Sequence, residues 1–231
     1  MRIPGVVQIA YMVTYRNLIW MDKAMKLFLV GASGMIGSRI LAEAVARGHQ
    51  VVAGARNPGK IAALPGVTAV AVNASDAATL AAHAKGVDVY IQSVSPRSTG
   101  DAVAEMAGYT AAFLVAAPVA KRAIVVGGAG TLNLADGSPV MAHLPDFIVP
   151  EATGMKRLKD ALVTSDLDWT FIAPAADIQP GNRTGVFRVG GDVLMSDADG
   201  KSHISAEDYA VALLDEVEKP AHLRKVMSVA Y

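Results

Sequence analysis

The chain has 231 residues, with 21 Lys and Arg against 21 Asp and Glu, no cysteine, and 52% hydrophobic residues at a mean hydropathy of +0.35. Balanced charge leaves no electrostatic footprint for nucleic acid or an anionic membrane surface. The lack of cysteine excludes a disulfide framework, a thiol nucleophile and a cysteine zinc site, and the composition suits one compact α/β domain with strands buried on both faces.

Residues 1–24 precede the first recognisable element. Their apolar patch, Val6 to Val13, is interrupted by Thr14, Tyr15 and Arg16 and is followed by no small-residue cleavage site, so it makes a poor signal peptide. The segment reads as an N-terminal extension, a leader or an upstream start, with Met21 and Met25 as alternative starts. Residues 25–231 form the expected single domain, cytoplasmic in location.

That domain opens on Lys26-Leu-Phe-Leu-Val-Gly31-Ala-Ser-Gly34-Met-Ile-Gly37, a short apolar run that breaks into glycines and then an amphipathic segment. Strand, tight turn and helix start in that order place backbone N–H groups at the positive end of a helix dipole, which suits a pyrophosphate. Gly31 permits the turn, Gly34 the approach of phosphate, and Gly37 the close packing of helix on strand. The helix runs from Ile36 to Arg47 and a second strand from Gln50 to Ala55, which completes a β-α-β unit. The dinucleotide-binding set expected from this loop is Gly31, Ser33, Gly34, Met35, Ile36 and Gly37.

Cofactor choice is legible at the end of the second strand, where Ala53-Gly-Ala-Arg56-Asn-Pro has no acid to bind ribose hydroxyls or repel a 2′-phosphate. Arg56, with help from Ser33 and Arg39, is placed for charge-assisted bonds to that phosphate, so NADP(H) is expected over NAD(H). Gly54-x-x-x-x-Gly59-Lys60 mimics a triphosphate loop, but Ile61 stands where a magnesium-binding hydroxyl belongs.

Strands and helices then alternate. Val67 to Asn73 reads as strand three, Asp76 to Lys85 as a short helix, and Val87 to Val94 as strand four. Thr99 to Ala117 is a long apolar helix ended by Pro118, and its stretch Met106 to Ala120 falls short of the ~20 residues that span a membrane. Arg122 to Gly127 is strand five, Glu151 to Thr164 a helix, and Trp169 to Ala173 strand six. A helix from Ser205 to Glu218 starts with Ser205 as N-cap and Asp208 three residues on, and Arg224 to Ala230 is a last strand. Right-handed crossovers give a Rossmann-like doubly wound parallel sheet of order 3-2-1-4-5-6, with its crevice at the carboxyl ends of strands one and four.

Two long connections, 128–150 and 174–203, leave the sheet on the ligand side and read as pocket walls. The second includes a predicted hairpin, Val186 to Met195, that turns near Gly190-Gly191. Met35, Met141, Phe147, Pro174 and Phe187 are candidates for an apolar stacking surface, with Met141, Phe147 and Phe187 as the substrate pocket. Asp197-Ala-Asp199-Gly200 lacks calcium-loop spacing and reads as a turn.

Gly31-Ala-Ser-Gly34-Met-Ile-Gly37, Val125-Val-Gly-Gly-Ala-Gly130, Leu167-Asp-Trp-Thr-Phe-Ile-Ala-Pro174, Arg183-Thr-Gly185 and Ile204-Ser-Ala-Glu-Asp208-Tyr-Ala resemble the atypical short-chain dehydrogenase/reductases of the NADH-flavin reductase group, akin to NmrA-like and biliverdin reductase B-like proteins. The resemblance covers about Met25 to Tyr231 and implies an NAD(P)-binding oxidoreductase. The Tyr-x-x-x-Lys pair that lets a phenol exchange a proton in conventional members is absent from the chain. Lys156 has Ala152 four residues before it and is a candidate for the nicotinamide ribose. Ser93 and Ser95, at the end of strand four, lie where a hydroxyl could face the nicotinamide, and Ser93, Val94 and, at the end of strand six, Pro174 complete the expected cofactor contacts. Ser93 and His143 are the candidate catalytic groups, and no histidine pair has metal-site spacing.

The expected activity is hydride transfer from NADPH to a planar conjugated small-molecule acceptor, a flavin or quinone, without metal. The alternative is a silent NADP(H)-binding redox sensor of the NmrA-like type that signals through a regulatory protein partner.

Overall fold

The computed structural model describes residues 24–231, so the expectation about the N-terminal extension lies outside the described residues. In chain order the elements are β1 (Lys26–Val30), α1 (Met35–Ala46), β2 (Gln50–Ala55), β3 (Val67–Ala71), α2 (Ala77–Ala84), β4 (Val89–Gln92), α3 (Ala102–Ala116) and β5 (Arg122–Val126). There follow α4 (Val149–Val163), β6 (Trp169–Pro174), β7 (Asp177–Gln179), β8 (Arg188–Gly190), β9 (His203–Ser205), α5 (Ala206–Glu218) and β10 (Lys225–Ala230). The main sheet has the order β3-β2-β1-β4-β5-β6-β10-β8 and is parallel except for β8.

Alternation along β1 explains why its run is apolar throughout. Leu27 and Leu29 belong to the core under α1 and α5, while Phe28 and Val30 belong to the core under α2, α3 and α4. Each strand face therefore has a helical layer to bury it. The helical stretch Ala102–Val119, α3 with the 3₁₀ turn that follows it, is long and apolar enough to cross a membrane, yet Met106, Tyr109, Ala112, Phe113 and Ala116 are turned into the second core.

Two expectations are corrected. The predicted hairpin does not form: β8 instead pairs antiparallel with β10, Val189 opposite Val229, and extends the main sheet at its edge. At the two ends of that long connection β7 pairs in parallel with β9 as a separate two-stranded ribbon, Asp177 opposite His203 and Gln179 opposite Ser205. Helix α3 starts at Ala102 rather than Thr99, because the Ser98 and Thr99 N–H groups donate to Glu105 and Asp101 caps the helix through the Ala104 N–H. At α5 the cap is as expected, with Ser205 Oγ accepting the Asp208 N–H at 3.0 Å. The Asp197 carboxylate accepts the Asp199 and Lys201 N–H groups and closes the turn there.

Candidate cofactor site

The glycine loop is shaped by contacts that no other residue would allow. Gly31 has φ +88°, and a Cβ there would lie 1.9 Å from the Ser93 carbonyl oxygen; a Cβ on Gly37 would lie 2.1 Å from the Gly31 carbonyl oxygen. These approaches bring β1, α1 and the end of β4 together at one point.

Not every N–H in the loop is free for a ligand. Those of Gly31 and Ala32 both donate to the Gly54 carbonyl, at 2.9 and 3.1 Å, and that of Gly34 donates to the Gly31 carbonyl. What the loop presents is the first turn of α1, beginning at Met35 and Ile36. The N-cap Gly34 supplies no side-chain bond and no acid stands in that turn, so nothing on the helix offsets the positive end of its dipole; Gly34 lines the cleft, whereas Met35, Ile36 and Gly37 do not.

The cleft at the carboxyl ends of β1, β2 and β4 is lined by Gly31, Ser33, Gly34, Arg56, Ser93 and Val94, six residues singled out from the sequence. It is also lined by Ser95, the second candidate hydroxyl at the end of strand four, and by Ala55, Val72, Asn73, Ala74 and Tyr109, which the sequence did not single out. Tyr109 comes from α3, 53 positions beyond Arg56, and only the packing of α3 across the sheet reveals it. Asn73 ends the third predicted strand at the crevice edge, a positional signal that could have found it.

Around Arg56 runs a chain of polar contacts. Its Nη1 donates to Ser98 Oγ, the Ser98 and Thr99 N–H groups donate to Glu105 Oε2 at 2.9 and 3.1 Å, and the Tyr109 hydroxyl donates to Glu105 Oε1. Glu105 and Tyr109 are only 8% and 7% exposed. Burial works against ionisation of Glu105, but the Tyr109 hydroxyl and the N–H groups of Ser98 and Thr99 outweigh it and hold the carboxyl at about 2. Burial and the neighbouring carboxylate push the Tyr109 phenol up, so it stays protonated as a donor.

The remaining candidates are dispersed. Lys156 is exposed and ion-paired with Asp160 at 2.6 Å, whereas Lys159, one helical turn on, sends its Nζ to the Thr131 carbonyl in the loop after β5. Burial lowers the Lys159 ammonium, with the charge of Lys156 adding to it. Arg39 is engaged with Glu207 at 3.0 Å and not with the cleft. Pro174 is buried at the end of β6 opposite Val229. His143 is exposed at the end of a single 3₁₀ turn, Val140–His143, on the side of Asp136.

Among the expected pocket residues, Met141 is half-buried with its sulfur 3.9 Å from Thr153 Oγ1, and Phe187 packs on the core beneath α1 and α5. Phe147 is 82% exposed. The cleft brings Ser93 together with Gly31, Ser33 and Gly34 of the glycine loop, but Met35, Ile36, Gly37, Pro174, His143, Lys156, Met141, Phe147 and Phe187 do not line it. Among the described residues no group of three His, Asp or Glu could hold a metal ion.

The model of a family described as NAD(P)H-binding matches residues 31–220. A solved structure of a candidate exported protein from Burkholderia pseudomallei is 42% identical, with 90% of this chain and 100% of that one covered and a TM-score of 0.77. A candidate epimerase from Bacteroides thetaiotaomicron is 34% identical, with 90% and 98% covered and a TM-score of 0.82. A Streptococcus pneumoniae protein named as a candidate NADH-flavin reductase is 30% identical, with 90% and 99% covered and a TM-score of 0.78.

Proposed function

The chain belongs to the NAD(P)H-binding family, and from that premise we propose that it is an NADPH-dependent reductase of planar, conjugated acceptors such as flavins or quinones. The observation that carries the cofactor half of this reading is Arg56, which lines the cleft at the end of β2 where no carboxylate stands. A guanidinium there meets a 2′-phosphate with charge-assisted bonds, and an NAD-selective site would hold an acid instead. The rest of such a dinucleotide would follow the glycine loop: the first turn of α1 takes the pyrophosphate, and Gly31 and Gly37 allow the tight turn and the close helix packing that set that turn against the end of β4.

When bound, the reduced nicotinamide supplies a hydride. The chain's own part is to bind, orient and exclude water. Ser93, beside Gly31 at the end of β4, is the hydroxyl nearest that role, and the loops 128–150 and 174–203 would wall the acceptor. Reduction of a ketone leaves charge on one oxygen and needs a positioned acid, whose loss costs roughly two to four decades in rate. A conjugated acceptor spreads that charge, so a site without a Tyr-x-x-x-Lys pair suits it better. The relative named as a candidate NADH-flavin reductase supports the acceptor class.

The test is steady-state turnover with NADPH against a panel of flavins and quinones, followed at the nicotinamide absorbance band, beside oxidation of secondary alcohols by NADP⁺. Acceptor reduction with little alcohol oxidation is expected. Robust alcohol oxidation would overturn the acceptor class, and tight NADPH binding with no turnover would favour a redox sensor of the NmrA-like type.

A further inference from the structure

The contacts of the β4–α3 loop point to a second determinant of cofactor selection besides Arg56. We propose that Ser98 and Glu105 act as positioning residues that hold the Arg56 guanidinium toward the cleft, so that the loop 95–101, and not β2 alone, sets the preference for a 2′-phosphate. The inference rests on the NADPH reading and deepens it.

An exposed arginine has many rotamers, and a binding site that must order it first loses affinity. Arg56 is exposed, yet its Nη1 is already engaged by Ser98 Oγ, which leaves its other N–H donors for an anion. Ser98 is itself exposed and would be a poor anchor without support. That support is Glu105, which takes the Ser98 and Thr99 N–H groups and the Thr99 hydroxyl on one oxygen and the Tyr109 hydroxyl on the other.

A carboxylate beside an anion site would ordinarily repel the ligand. Here donors cover both oxygens of Glu105, and its charge is spent on fixing the loop. Tyr109 completes the link, since it lines the cleft beside Arg56 while it holds Glu105 from below. The four residues form one connected path from the end of β2, through the loop, to the second turn of α3.

The experiment is calorimetric titration of NADPH and NADH into the full chain and its variants Arg56→Ala, Ser98→Ala, Ser98→Thr and Arg56→Ala/Ser98→Ala. Arg56→Ala is expected to weaken NADPH by roughly ten- to a hundredfold and leave NADH unmoved. Ser98→Ala should weaken NADPH by roughly two- to tenfold, again without effect on NADH, and Ser98→Thr, which keeps the hydroxyl, should restore most of it. In the Arg56→Ala background, Ser98→Ala should add nothing, because a positioning residue has no role once its partner is gone.

A selective loss in Arg56→Ala with Ser98→Ala inert, additive or tightening would overturn the inference and leave the NADPH reading standing. Equal losses of both cofactors in Arg56→Ala would overturn the NADPH reading and the inference with it. Since Ser98 is exposed and in a loop, Ser98→Ala tests binding without threatening the fold.

Discussion

The Asp208 carboxylate, wholly buried in the first turn of α5, accepts the Thr184 backbone N–H at 2.8 Å and so ties the loop after β7 to that helix. The same carboxylate takes the Gly185 N–H at 2.8 Å, the Thr184 hydroxyl, and the hydroxyl of Tyr231 at 2.7 Å. Three separate parts of the chain thus meet on one side chain. Bonds to a charged acceptor are worth about 1.5–3 kcal/mol each, so Asp208→Ala should cost about 3 kcal/mol or more and loosen the wall 180–187. Tyr231→Phe removes one of those donors, together with the hydroxyl's contacts to Ser205, and should cost less, about 1.5–2 kcal/mol. Urea unfolding of the two variants checks the order, and equal losses would contradict it.

Stability should fall on the acid side. Glu43 is held below the usual carboxylate range by Arg183, against its own burial, and with help from Arg47. In Asp208 and Glu216 burial opposes ionisation, but Thr184 and Gly185, and His222 and the Ala221 N–H, outweigh it. A carboxyl whose folded pKa is depressed contributes stability above its unfolded value, about 4, and loses it as pH falls through the folded value. Denaturant midpoints measured from pH 7 to 3 should hold until about pH 4 and then drop; a profile flat down to pH 3 would contradict this.

The two closest approaches in the glycine loop predict severe effects from single methyl groups. Gly31→Ala forces a side chain onto a positive φ and into the Ser93 carbonyl, and Gly37→Ala drives a Cβ into the Gly31 carbonyl. Each should destabilise by about 2 kcal/mol or more and abolish NADPH binding. Gly48→Ala, also at positive φ but with open space around it, should cost only about 1 kcal/mol and leave binding intact. Thermal midpoints with and without NADPH separate the two classes.

Removing either member of the buried Arg122–Glu216 pair should be unequal in effect. Glu216 also accepts from Thr170 Oγ1 at 3.2 Å, the Ala221 N–H at 3.1 Å and the His222 N–H at 3.0 Å. Arg122 alone would retain only the Glu216 carbonyl and the Thr170 hydroxyl. Glu216→Leu leaves a buried cation and two N–H groups unmatched, and should cost about 3–5 kcal/mol. Arg122→Met should cost less, because the carboxylate keeps its other donors. The reverse order in chemical denaturation would refute this account.

The local order of strand, glycine turn and helix and the Ser205 cap of α5 were legible because each depends on neighbours in sequence: an apolar run, a residue that tolerates positive φ, a hydroxyl before a helix; the strand order 3-2-1-4-5-6 was legible because alternating strands and helices with right-handed crossovers leave few other topologies. So was Arg56, since the end of β2 must reach the crevice once the glycine loop is placed. The edge-strand pairing and the side-chain pairings across the chain were not legible. Nothing local tells β8 to join β10 rather than fold back as a hairpin, because both pairings satisfy its backbone and only the buried edge of β10 discriminates. Nothing local tells Lys159 rather than Lys156 to meet the loop after β5, or Arg39 to turn to Glu207, because a long cation is directed by the partner that packing brings within reach. The links from Glu105 to Ser98 and from Ser98 to Arg56 belong to this second kind. Backbone chemistry and hydrophobic period determined the scaffold; the tertiary structure decided which charged side chains face the cleft, since ion pairs form between residues that share space, not sequence.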